Sequence, residues 1–242
     1  MSTEKINWKG GTLLAPVPPV MVTCGDMENS NIITIGWTGI LSTIPPRTYI
    51  SVRPERHSYK MLKATGEFVI NLTTAKQARE VDYVGIYTGA KVDKFKECKL
   101  TKVQSKEVSA PTIAECPFAL ECRVVEVIPM GTHDVFIADI VSVSSDESII
   151  DEAGKIRFDK ADLMAYAHGE YFALGEKLGS FGFSTKKQRT EKSAPKKKPM
   201  ENKEKSAPVS SKNAEKDDKK RPFYLDAPRG KGGKTKGKGK KR

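Results

Sequence analysis

Arg53, Arg56, His57 and Ser58 stand where an alternating apolar stretch, RTYISVRP (47–54), gives way to a segment of helical composition, ERHSYKMLKATG (55–66). Guanidinium groups at a strand end, followed by a helix whose first backbone N–H groups have no internal partner, make an anion site. Arg56 can meet a phosphate through its planar fork and Ser58 through a short hydroxyl hydrogen bond. The surrounding run from Asn31 to Asn71 is rich in Ile, Val, Thr and Gly and contains Trp37. The ligand that suits it is phosphorylated, flat and apolar. Trp37 could pack on the edge of such a ligand or close a core, and its type fits both roles. His133 opens a second apolar stretch beside Asp134, whose carboxylate could fix the imidazole tautomer. No H-E-x-x-H, G-x-S-x-G or strand-borne G-x-G-x-x-G occurs, so no side chain is marked as nucleophile or metal ligand.

The elements that must position these groups are mostly strands. PPVMVTCG (18–25), NIITIGWT (31–38), RTYISVRP (47–54) and EFVINLT (67–73) carry Val, Ile, Thr and Tyr between Gly, Pro, Asn and Asp breaks. A short helix is predicted over 55–66 with Gly66 as its stop. A second runs from Thr74, a candidate cap, to about Tyr83, with Ala75, Ala78, Val81 and Val84 at helical spacing. After a charged loop over 91–100, FALECRVVEVIPM (118–130) and HDVFIADIVSVSS (133–145) form a hairpin about Gly131 and Thr132. LMAYAHGEYFALGEKLG (163–179) then packs against the mouth of a small barrel. The fold class expected is mainly β, a barrel with a few short helices.

Charge divides the 242 residues unevenly. From Thr185 onward there are 22 basic and 7 acidic residues, a surplus of +15, whereas the first 184 hold 20 and 23, or −3. Residues 1–184 are therefore expected to form the folded domain, and 185–242 a disordered basic tail too poor in large apolar residues to offset its ordering entropy. A Lys-rich, Gly-flexible arm of this kind makes weak, non-specific contacts with nucleic acid by counterion release. Cys24, Cys98, Cys116 and Cys122 show no metal or disulfide spacing and are read as reduced, mostly buried thiols. With no apolar leader and no apolar run long enough for a membrane span, the protein is expected in the cytoplasm.

Taken in order, NIITIGWTG, ISVRPERHSY, GEFVINLT, VDKFKE, GTHDVFIADIVSV and AYAHGEYFALG resemble the flavin reductase-like family, and within it the flavoredoxin subgroup of FMN-binding split-barrel proteins. The resemblance covers nearly all of residues 10–185 and none of the tail. It implies an FMN-binding split β-barrel and a homodimer with the flavin near the subunit interface. By the same resemblance Asn31 and Trp37 line the flavin ring site, Ser58 and Lys94 contact the phosphate, and His133 and Tyr166 touch the ring or ribityl chain. Ser58 replaces a threonine that the pattern allows, keeping the hydroxyl, and Tyr166 stands where relatives carry Phe. His168 is a candidate for the flavin rim or the subunit interface.

These resemblances imply an FMN-binding oxidoreductase, either an NAD(P)H:flavin reductase or a flavoredoxin-like electron carrier supplied by a redox protein. The cofactor would carry the redox chemistry and the protein would set its orientation and electrostatics. Flavin could also be a diffusible substrate. The alternative from another class is a non-enzymatic flavin-binding protein tethered to nucleic acid by its tail.

Overall fold

The computed structural model describes residues 4–185. The expected basic tail lies outside the described residues. Residues 4–175 belong to one compact unit, and 176–185 belong to a second, where Phe183–Thr185 form a single 3-10 turn. The fold below is that of the first unit.

Seven strands make one antiparallel sheet: β1 (Val20–Gly25), β2 (Ser30–Ile35), β3 (Thr38–Thr43), β4 (Pro46–Val52), β5 (Glu67–Leu72), β8 (Phe118–Pro129) and β9 (Asp134–Ser145). Their spatial order is β2-β1-β5-β8-β9-β4-β3. Two further hairpins are β6 (Lys102–Val103) with β7 (Thr112–Ile113), and β10 (Met164–Ala167) with β11 (Glu170–Ala173). The helices are α1 (His57–Thr65), α2 (Ala78–Ile86) and α3 (Lys94–Glu97). The mainly β barrel with short helices is therefore borne out.

The sheet curls round a core in which Val20, Val22 and Cys24 of β1, Ile33 and Ile35 of β2, Phe136 and Ala138 of β9 and Leu62 of α1 are all buried. The alternate residues of the same two strands serve a second core. Met21 and Ile32 face outward against Val81 and Val84 of α2 and Phe95 of α3. A strand covered on both faces must be apolar throughout, which is why VMVT shows no polar alternation. Along β9 the period of two is kept, Phe136 and Ala138 being fully buried and Val135 and Ile137 only partly.

Local chemistry sets the boundaries. Gly66 caps α1 in the left-handed region, φ 65°, and its N–H reaches Leu62 O. Thr74 caps a 3-10 turn (Ala75–Gln77) that runs into α2, its N–H donating to Gln77 Oε1 at 2.9 Å. That helix extends past Tyr83 to Ile86. His168 and Gly169 form the β10–β11 turn with φ of 48° and 99°, the left-handed pair such tight hairpins need. His168 is thus a turn residue.

Two expectations are corrected, and a third is given its form. The 31–38 stretch breaks at Gly36 and Trp37, and an additional strand, β3, follows before Pro45 and Pro46. It is an edge strand with Ile40 and Leu41 exposed, so burial imprints no alternation on its sequence. The charged loop over 91–100 contains α3, capped by Asp93, whose carboxylate accepts from Lys96 N–H at 3.2 Å. The segment from Leu163 onward is a hairpin tied into the domain, Tyr166 pairing with Val17 and Leu163 with Thr74.

Phe136 is fully buried, with the Tyr59 ring edge-on at 5.6 Å. Phe136→Ala is expected to cost about 3–5 kcal/mol, read as a lowered denaturation midpoint in urea with little change in slope.

Candidate functional site

Trp37 leads from β2 into β3, which pairs with β4, and Ser51 N–H of β4 donates to Trp37 O at 3.0 Å. Two adjoining cavities open there. The first, about 330 Å³, is lined by Ile33 and Ile35 of β2, Trp37, His133, Tyr166 and Tyr171. The second, about 340 Å³, is lined by Asn31, Arg56, Ser58, Lys94, Thr88 and Gly89. Ile33, Arg53, Arg56 and Gly85 belong to both walls. An aromatic, apolar slot therefore runs into a cationic pocket.

In the slot the Trp37 and His133 rings sit 4.7 Å apart at 40°, and those of Tyr166 and Tyr171 5.2 Å apart at 58°. Trp37 is 43% exposed and occupies the turn between β2 and β3, so neither a strand position nor core packing describes it. Burial, with Arg53 and then Arg56 close by, pushes the His133 imidazole below its ordinary value. That shift favours the neutral ring. Asp134 does not set its tautomer, because that carboxylate accepts a hydrogen bond from Tyr59 Oη. Thr132 Oγ1, 3.0 Å from His133 Nδ1, is the partner instead. The far wall is closed by Tyr171, whose hydroxyl donates to Asp82 Oδ1 at 3.3 Å. Burial and that carboxylate raise the phenol to about 12.

The cationic pocket is built by burial. Lys94 is only 4% exposed, and its Nζ donates to Ile32 O and Val84 O, each at 2.8 Å. An ammonium has three protons, so one remains for a ligand. Burial, then the charge of Arg56, lowers this lysine to about 8. Ser58, also buried, accepts from Asn31 Nδ2 at 2.7 Å, and its hydroxyl also lies within hydrogen-bond reach of the Cys24 thiol. Arg56 is the N-cap of α1 without a side-chain cap, and its Nη1 makes one long bond to Gly85 O at 3.4 Å. The opening N–H groups of α1 at His57 and Ser58 border the same space. Glu55, the pocket's carboxylate, is paired with Arg53 at 2.7 Å.

All seven residues singled out in the sequence, Asn31, Trp37, Arg56, Ser58, Lys94, His133 and Tyr166, line these two cavities. The correction concerns Lys94, which is buried within a helix and not on a solvated loop. Sequence reasoning missed Gly85, Gly89, Asp82 and Tyr171. A signal existed for the glycines: Gly85 sits inside α2, where glycine costs about 1 kcal/mol relative to alanine. A side chain at Gly89 would place its Cβ 2.2 Å from Asn31 Oδ1. The backbone must come that close to hold Asn31 over Ser58.

A flat-walled slot continuous with an anion pocket, at the open end of a curled antiparallel sheet, defines a protein that holds a planar phosphorylated cofactor. Residues 13–175 match the Flavin reductase like domain, and the chain belongs to that family. The flavoredoxin of Desulfovibrio vulgaris (Miyazaki F) superposes with a TM-score of 0.71 at 32% identity, over 76% of this chain and 100% of that one. A flavoredoxin from Methanosarcina acetivorans gives 0.69 at 25% identity, over 76% and 98%. An uncharacterized protein of Archaeoglobus fulgidus is 32% identical over 158 residues, 65% of this chain and 88% of that protein. The fold is the split barrel of flavin reductase-like proteins. A flavin cofactor and a flavin-related oxidoreductase or electron carrier follow as the class. Among the described residues no helix is long and apolar enough to cross a membrane.

The lining matches such a cofactor: apolar and aromatic walls for a ring, and the third Lys94 proton with the Ser58 hydroxyl for a phosphate. Gly89→Ala is expected to push Asn31 off Ser58 and weaken flavin binding about tenfold. Fluorescence titration reads the affinity, and circular dichroism verifies that the fold is kept.

Proposed function

We propose that this chain is an FMN-binding oxidoreductase that passes reducing equivalents through bound FMN, drawing them from NAD(P)H or from a redox protein. The observation that carries the reading is the buried Lys94 ammonium, with one proton to spare, in the cationic pocket that adjoins the aromatic slot. When bound, FMN supplies a ring able to take up a hydride or two electrons and to release them.

The chain's own residues do the rest. Lys94, Ser58, Arg56 and the opening N–H groups of α1 grip the phosphate, and Asn31 turns the Ser58 hydroxyl toward it. Trp37 and the neutral His133 form one face of the slot and Tyr166 another, while Ile33 and Ile35 keep water from its floor. The open side admits a second planar group, as transfer from a nicotinamide requires. We also assign a homodimer to the protein. Ile40 and Leu41 on the edge strand β3, with Ile44 beside it, are exposed apolar groups on an unpaired sheet edge, a surface that a second copy would cover. Ile40→Lys with Leu41→Lys is expected to halve the mass measured by light scattering.

Purified protein loaded with FMN is expected to be yellow, and anaerobic NADH or NADPH to bleach it. Bleaching by a reduced redox protein alone assigns the electron-carrier form. Failure to take up FMN supplied in excess overturns the proposal.

Ser58→Ala together with Lys94→Ala is expected to weaken FMN binding by a few kcal/mol, charge-assisted bonds being worth about 1.5–3 kcal/mol each. The Lys94 ammonium is present below its value of about 8 and lost above it. The FMN phosphate is already fully ionised well above its second pKa of about 6. Affinity should therefore be level near pH 7 and fall at alkaline pH, with a midpoint above 8 because the bound phosphate raises the lysine in turn. Lys94→Met should abolish that fall in a fluorescence titration across pH.

A further inference from the structure

We infer that Tyr59, through its hydrogen bond to Asp134, is the residue that positions His133 in the aromatic slot, an inference that rests on the flavin reading of the two cavities. His133 sits at a hairpin tip. The β8–β9 and β4–β9 ladders both end at Asp134, which faces Pro129 on one side and Val52 on the other, so His133 lies one residue beyond the last rung. Its carbonyl accepts from Met130 N–H at 2.8 Å, and its ring partner, Thr132, belongs to the same turn. Both bonds are internal to the turn and would travel with it.

The tether to the rest of the fold comes from α1. Tyr59 Oη donates to Asp134 Oδ2, a charge-assisted bond of the stronger kind. That bond raises the phenol above its ordinary value, which keeps it protonated as the donor. The Tyr59 ring is fixed in turn, edge-on to the fully buried Phe136 at 5.6 Å, and its backbone N–H donates to Arg56 O at 2.9 Å. Arg56, Ser58 and Tyr59 stand together at the start of α1. The first two line the cationic pocket, and the third reaches the strand that His133 leads into. Neither Tyr59 nor Asp134 lines either cavity, so the pair acts on the slot through His133 and is not itself a contact of the flavin. An imidazole held in this way keeps its place 4.7 Å from the Trp37 ring. The slot face is then formed before any ligand arrives, and binding a flat ring does not have to order it.

The test compares the wild-type full chain with Tyr59→Phe, which keeps the ring packing and removes the donor, with Asp134→Ala, which removes the acceptor, and with Asp134→Asn, which keeps an acceptor for the phenol. In the flavin-free proteins, NMR follows the His133 imidazole across pH and its cross-peaks to the Trp37 indole, with His57 and His168 the other two histidines in the spectrum. Riboflavin and FMN affinities are then read by fluorescence titration. Tyr59→Phe and Asp134→Ala are expected to lose the Trp37–His133 cross-peaks and to weaken riboflavin and FMN by the same factor, about fivefold, the worth of one net hydrogen bond. In both, the His133 midpoint should rise toward its ordinary value as burial and the charges of Arg53 and Arg56 are relieved. A rise in Asp134→Ala cannot come from a freed carboxylate beside the ring. Asp134→Asn should retain the cross-peaks and both affinities. The inference is overturned if Tyr59→Phe leaves the cross-peaks and the His133 midpoint unchanged, if Asp134→Asn is as disruptive as Asp134→Ala, or if Tyr59→Phe weakens FMN and spares riboflavin, which would put its action at the phosphate. If the wild-type protein binds neither flavin the proposed function falls, and the NMR comparison still decides whether Tyr59 positions His133.

Discussion

The Lys94 ammonium is the contact on which the site depends. Its two short bonds join the carbonyl of Ile32 in β2 to that of Val84 in α2, while its own backbone belongs to α3. Three elements remote in sequence are thereby fixed against one another at a single charged atom. A buried cation without a carboxylate partner is an expensive object. The protein tolerates it because two carbonyls take part of the charge. Such an arrangement is only fully satisfied by an anion, and it converts stability lost in folding into affinity for what binds.

Around that atom the fold solves a packing problem and a presentation problem with the same strands. β1 and β2 are buried on both faces, one serving the barrel core and the other the layer beneath α2 and α3. The side chains between these layers are locked, so the carbonyl of Ile32 and the amide of Asn31 have little freedom. The ends of the same strands reach the surface at Trp37 and beside Arg53. Rigid positioning and open access thus come from different ends of one element, which is the geometry a pre-organised cofactor cradle needs.

Much of this was legible in the sequence, for identifiable reasons. The strand that delivers Arg53 and the helix that begins after Arg56 could be read from the change of period between RTYISVRP and HSYKMLKAT, and the Gly66 stop from its residue type. Lys94 could not be read from pattern. It sits among Lys91, Lys96 and Lys99 in a stretch that looks uniformly solvated, and only the family resemblance separated it from them. β3 was lost because an edge strand exposed on this surface has no burial alternation to imprint. The role of Asp134 was misassigned because its partner, Tyr59, lies 75 residues away in sequence, and neighbours along the chain are a poor guide to neighbours across a sheet. Gly85 and Gly89 were visible as letters, yet their purpose, close backbone approach to Thr34 and Asn31, exists only in three dimensions.

The pairing of Val17 with Tyr166 means that one wall of the slot is assembled from the beginning and the end of the domain. The sheet from β1 to β9 is complete before Leu163 is reached, but the ring cavity is not, since Tyr166 and Tyr171 come last. A chain ending before Leu163 would therefore keep every residue of the anion pocket and lack one wall of the slot.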